Sequence, residues 1–256
     1  MASLDEMNSF AADPHAAALI ADLDHRDKPT VRAAVDILIS LARNSPLLCE
    51  QLESRLSEAG HQNNWAVAYI LGHLPKPSGA SITQLLDALD HREPDIRWAI
   101  ALLLVRIARE NKDIDIVNPL MQLCATGSQN QKRMALYSLR DLSLCDAASL
   151  ATLLAALHDS EATVRVAAAI CLKLRPDVHE TGKRQLLEVY LKDAEPKVRH
   201  AVAITLASLK PPQPDFVTAL KRNSESADEQ TKKAAIAALN LMEKRRSAPT
   251  GSASDR

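Results

Sequence analysis

The chain has 256 residues, a formal net charge of -1 and 25% charged side chains. That balance removes any global electrostatic case for nucleic acid or an anionic membrane, and no apolar run reaches the about 18 residues of a membrane helix. Six glycines and 3% aromatic residues argue against a compact β fold or a glycine-rich nucleotide site, and the abundant alanine and leucine favour helices.

The opening stretch MASLDEMNSFAADPHAA has acids where a secretory signal needs basic residues. The expectation is a soluble, cytoplasmic chain. Residues 1–13 read as a disordered tail. From residue 14 onward one unit is written seven times, over residues 14–44, 45–75, 79–109, 113–143, 146–175, 180–210 and 213–243. Each unit opens on a first helix A, as in LIADL, QLLDALD, TLLAALH or QLLEVYL. A polar turn follows, with Pro29, Pro94 and Pro196 placed where a missing amide proton costs little.

Helix B comes next. Its core is VRAAV from Val31, NNWAV from Asn63, IRWAI from Ile96, KRMAL from Lys132, VRVAA from Val164, VRHAV from Val198 and TKKAA from Thr231. The starts are 32, 33, 36, 32, 34 and 33 residues apart, a period that marks a solenoid and overrides a two-domain prior based on length. The fourth core position is alanine throughout: Ala34, Ala66, Ala99, Ala135, Ala167, Ala201 and Ala234. A small residue there implies close approach of two helices, where anything larger costs about 1–3 kcal/mol. Breakers such as LPKPSGA, LRPDVHETG and LKPPQPD separate units, and Pro119 requires the fourth helix A to begin there or kink. The last helix B is more polar, as an end cap requires, and residues 244–256 read as a second disordered tail.

These Val-Arg-x-Ala cores resemble the HEAT repeat, in particular the short variety named after phycobilisome lyases, over roughly residues 14–243. The resemblance implies an all-α, right-handed α-solenoid of seven helical hairpins. Ankyrin and tetratricopeptide repeats have similar periods, but their signature phrases are missing.

The second core position is basic in six units (Arg32, Arg97, Arg133, Arg165, Arg199 and Lys232). In the resembled family such a residue meets an acid of a neighbouring turn. Asp24, Asp27, Asp90, Glu93, Asp159, Glu161 and Asp193 are placed for this. The five arginines therefore read as a structural ladder and not as a phosphate-binding row. His25, His91 and His158 occupy equivalent turns. Repeats stack about 10 Å apart, too far for His25 and His91 to share a metal, so they read as solvated turn residues.

Cys49, Cys124, Cys145 and Cys171 lie among leucines and alanines without CxxC spacing and read as buried, reduced thiols. Only His179-Glu180 offers the His-Glu pairing that deoxyhypusine hydroxylase, built of similar repeats, needs several times over. No nucleophile elbow, phosphate loop or zinc-protease motif occurs. No catalytic residue, metal or cofactor is therefore assigned. An enzyme of this repeat type, either a bilin lyase-like factor or an alkylpurine DNA glycosylase-like protein, stands as the alternative to a binding scaffold.

Helical phase gives the candidate binding residues. At about 100° per residue, core positions one, four, five and eight form the packed side, and position three points the opposite way. In a HEAT stack that side is concave. Position three holds Ala33, Trp65, Trp98, Met134, Val166, His200 and Lys233; positions six and ten add Ala68, Ala101, Val105 and Tyr137. The expectation is an apolar stripe of Trp65, Trp98, Val105, Met134, Tyr137 and Val166 that binds a protein or peptide, since exposed aromatic residues commonly anchor interfaces.

Overall fold

The computed structural model describes residues 14–58, 64–175, 177–209 and 213–247. All regular structure among them is helical, so the fold is an α-solenoid of A–B hairpins. The chain divides into two compact units, Met1–Leu120 and Met121–Arg256.

The first unit contains α1 (Pro14–Asp22), α2 (Lys28–Ala42), α3 (Pro46–Ser57), α4 (Asn64–Leu71), α5 (Gly79–Asp87) and α6 (Pro94–Glu110). Four of these starts follow from their sequence. Asp27 caps α2 by accepting the Thr30 N–H, Ser45 caps α3 at Leu48, and Ser78 caps α5 at Ser81. Proline stands in the first turn of α2, α3 and α6, where the N–H would have no helical partner. Val31, Ala34, Val35 and Leu38 bury one face of α2. The core continues through Leu52, Ile70, Leu71, Leu85, Leu89, Ile100 and Leu104, all fully buried. Gly72 lets α6 come close: a Cβ there would lie 2.9 Å from Leu103 and 3.0 Å from Leu85.

Helix α7 (Val117–Thr126) spans the division. It begins at Val117, so Pro119 falls in its first turn, where its missing N–H has no helical partner to lose. The second unit continues with α8 (Gln129–Asp141), α9 (Ala147–Ala155), α10 (Ala162–Leu172), α11 (Glu180–Lys192), α12 (Pro196–Ser208), α13 (Pro214–Asn223) and α14 (Glu229–Ser247). A reciprocal capping box of Ser128 and Gln131 opens α8. Ser143, at φ 55°, takes the left-handed conformation that ends the turn after α8. Tyr190 and Phe216 meet edge to face at 5.6 Å in the core, and the Tyr190 hydroxyl accepts from Asn223 at 2.8 Å.

Successive B helices also interlock through polar side chains. Thr205 Oγ1 on α12 donates to the Ala169 carbonyl of α10 at 2.7 Å, and Cys171 Sγ on α10 donates to the Leu136 carbonyl of α8 at 3.4 Å. Both donors stand at core position eight. Ala169 is position six of its own core, so Leu136 is also a position six, and the fourth core starts at Gln131 and not at Lys132. Burial agrees: Met134, Ala135, Leu136 and Ser138 are buried as are Ala167, Ala168, Ala169 and Cys171. The fourth position is therefore methionine in this repeat, and alanine is not invariant.

Two further expectations need correction. Helix α14 runs through Ser247, four residues past the expected boundary at 243. Its end is made of helix-favouring glutamate, lysine and arginine, and the Arg245 guanidinium donates to the Ser208 carbonyl. Cys124 and Cys171 are buried as expected, but Cys49 is half-buried and Cys145 exposed. The expected tail over 1–13, the Asn63 start of the second core and residues 248–256 lie outside the described residues.

Candidate interaction surface

Five of the described turns before B helices share one device. A side-chain acceptor takes the backbone N–H two residues on: His25 Nδ1 from Asp27, His91 Nδ1 from Glu93, Asp159 from Glu161, Asp193 from Glu195 and Ser226 from Asp228, at 2.8–3.2 Å. The arginine at position two then folds back on its own turn. Arg97 donates to the carbonyls of His91 and Arg92, Arg165 to those of Asp159 and Ser160, and Arg199 to those of Asp193 and Ala194. These bonds satisfy carbonyls that the turn leaves without a helical partner.

In the second unit two acceptor aspartates also receive a cation from the preceding repeat: Arg165 grips Asp193, and Lys132 meets Asp159 at 2.7 Å. In the last turn, where the acceptor is Ser226, Arg199 instead reaches Asp228 at 3.5 Å and Thr231 at 3.1 Å. Arg133 is thus not the ladder residue. Lys132 is, as the one-residue shift of the fourth core requires. In the first unit histidine replaces aspartate, and an imidazole whose Nδ1 is engaged offers a cation nothing. The ladder relocates to Asp95 on the first turn of α6, which binds Arg32 and Lys28; Lys28 also reaches Glu93 at 3.3 Å. Asp24 pairs with Arg55 at 2.7 Å.

The B helices leave positions three and seven open; position six is covered in the five inner repeats but exposed in the first and last (Asp36, Ile236), and position ten is covered at Gly72, Val105 and Ala207. Val105 and Met134 are buried and leave the expected stripe, together with Ala68 and Ala101. Met134 is position four of the corrected core and so lies on the packed side. Val105, Ala68 and Ala101 are covered because a B helix packs against both its own helix A and the neighbouring B helices, which widens its buried arc beyond a single contact. In the first unit the open row comprises Trp65 and Tyr69, both half-buried, with Ile37 at 41%, Trp98 at 40% and Leu102 at 59% exposure. In the second unit it comprises half-buried Tyr137, Val166 and Ile204 with exposed Ile170. Tyr137 belongs to it as position seven of the corrected core, with the Arg140 guanidinium 5.1 Å from its ring centre. The seventh-position row (Ile37, Tyr69, Leu102, Tyr137, Ile170, Ile204) was present in the sequence as one apolar residue per repeat, four after position three.

His158 is exposed, as expected, but stands one residue before the acceptor position. His91 is half-buried, with its ring 5.7 Å from that of Trp65 at 61°. Burial holds its pKa below the ordinary imidazole range. His25, His91 and Trp65 line one pocket. Sequence reasoning also missed Arg175, 6% exposed, which donates to Asp177, to Ser149 Oγ and to the Leu144 and Asp146 carbonyls. The Arg-Pro-Asp phrase in a breaker was its only signal. Among the described residues no group of three or more His, Cys, Asp or Glu is placed to hold a metal, and no helix is long and apolar enough to cross a membrane.

Paired A–B helices, interlocked B helices and turn ladders define a helical-repeat protein. The chain belongs to the HEAT repeats family, whose model matches residues 82–173 and 150–240. Among solved structures it is similar to YibA of Escherichia coli, with a TM-score of 0.48 and 14% identity over 95% of this chain and 98% of that one. Human deoxyhypusine hydroxylase in complex with glycerol gives a TM-score of 0.42 and 16% identity over 93% and 99%. A designed armadillo repeat protein in complex with the peptide (KR)4 gives 0.38 and 15% over 88% and 98%. No curated protein matches the sequence.

Proposed function

We propose that this protein is a non-catalytic cytoplasmic scaffold that binds a protein or peptide along the open face of its B helices. The observation that carries the reading is the pair Trp98 and Leu102, one helical turn apart on α6 and both substantially exposed. Water penalises such a pair unless a partner covers it, at about 25 cal/mol per Å2 of apolar surface. Neighbouring Ile37 and Tyr69 extend the patch across α2 and α4. A bound segment with apolar side chains at matching intervals would bury them together, with the tryptophan as anchor. Four free cysteines accord with a reducing compartment.

Selection from a random peptide library tests this reading. The wild-type protein is expected to enrich sequences with spaced apolar residues, and Leu102→Asp is expected to lose them while keeping its melting temperature. Identical enrichment by both proteins would contradict the proposal.

A further inference from the structure

The first and third turns of the first unit are far apart in sequence but adjacent in space. Lys28 Nζ lies 2.7 Å from Asp95, across 67 residues. Between these turns opens a pocket of about 510 Å3 whose walls are His25 and Arg26 on one side, His91 and Arg92 on the other, and Trp65. That volume falls within the range of about 300–1,000 Å3 typical of small-ligand sites. The ladder offers no such arrangement in the second unit, where aspartates take the place of the two histidines and bind the cations themselves.

The chemistry of the walls is specific. Both histidines use Nδ1 to accept a backbone N–H at 3.0 Å, so each carries its proton on Nε2 and presents a donor there. Lys28 is neutralised by Glu93 and Asp95. The Arg92 side chain is 88% exposed, with its Nε 3.8 Å from Glu93, and Arg26 is exposed. The pocket therefore combines two guanidinium groups, the Lys28–Glu93 pair and two imidazole N–H donors with an indole. Carboxylates accept from guanidinium in parallel pairs, and an indole takes a flat apolar group.

We propose that this pocket is an acidic-peptide site: carboxylate side chains lie between the two His-Arg pairs, and an adjacent aromatic or aliphatic side chain rests on Trp65. Trp65 is shared with the apolar row of the B helices, but Trp98 and Leu102 take no part in the pocket, so a failure of one site is distinguishable from a failure of the other.

Trp65 is its own reporter once Trp98→Phe removes the other tryptophan. The probe is an acetylated, amidated tripeptide of two glutamates around a phenylalanine. It is expected to change Trp65 emission saturably. Arg26→Ala with Arg92→Ala, both in exposed turns, is expected to weaken binding by about 10-fold or more with an unchanged melt. The lysine counterpart of the probe is expected to give no saturable response. Equal affinity in the double variant, an equal response to the lysine peptide, or no saturable response to the acidic one would each overturn the proposal. Inorganic phosphate binding as tightly as the tripeptide would overturn it in favour of a simple anion site.

Discussion

Arg165 holds Asp193 with two parallel hydrogen bonds, Nε to Oδ2 at 2.7 Å and Nη2 to Oδ1 at 3.0 Å, across 28 residues of sequence. The two side chains are 15% and 7% exposed. Removing the arginine strands a buried carboxylate, which costs about 3–5 kcal/mol. Arg165→Ala is therefore expected to lower stability by that order in urea titration. Arg32→Ala, at a pair whose side chains are 56% and 43% exposed, should cost no more than about 1 kcal/mol. Equal losses would contradict the distinction between the two ends of the ladder.

The same ladder sets the acid limit. Burial raises the Asp193 carboxyl, but hydrogen bonds from Arg165 and the Glu195 N–H outweigh it and hold the group below its ordinary 3.8. Asp159 behaves likewise with Lys132 and Glu161. A carboxyl that is more acidic when folded stabilises fully above its unfolded pKa, and that contribution disappears as pH falls through the folded value. Urea midpoints are expected to drop steeply below about pH 4, and Asp193→Asn should flatten that drop. An unchanged slope in the variant would contradict the assignment.

Helix contacts give a third expectation. Ala167 is fully buried and Ala99 only half-buried, so Ala167→Leu should cost about 1–3 kcal/mol by overpacking and Ala99→Leu less. Met134 occupies the equivalent place in α8, and Met134→Ala should cost about 2–5 kcal/mol through the cavity it leaves. Thermal melts that ranked Ala99→Leu as the worst would misplace the B–B contact.

Thiol chemistry supplies an independent check of burial. Burial pushes the Cys124 and Cys171 thiols up to about 12, and it also raises Cys49. Cys145 is exposed. Iodoacetamide on the folded protein should modify Cys145 first, and Cys124 and Cys171 only after unfolding. Early labelling of Cys171 would contradict its place between α10 and α8.

How far the sequence led depends on which contacts repeat. The A–B hairpins were legible because Val31, Ile96, Val164 and Val198 begin the same periodic burial each time. The slip at the fourth core came from two basic residues side by side, Lys132 and Arg133, and from an alanine standing one place too late. The Cys171–Leu136 contact, the burial of Met134 and the Lys132–Asp159 pair reveal the register. The turn device was hidden because histidine, aspartate and serine fill one role with different chemistry. Position seven was missed for a geometric reason. Phase around a single helix gives direction, but the width of the buried arc depends on how many neighbours the helix has, and Val105 lies inside that arc, whereas Met134 was misplaced by the register slip.

The open B-helix face is tested most directly at Trp98, by measuring the melt and the peptide affinity of one variant. Trp98 is 40% exposed, so Trp98→Ala should cost about 1 kcal/mol of stability, well short of the about 3–5 kcal/mol of a core tryptophan. It should also weaken a library-selected peptide by at least about 2 kcal/mol. A large loss of stability with unchanged affinity for that peptide would contradict the account.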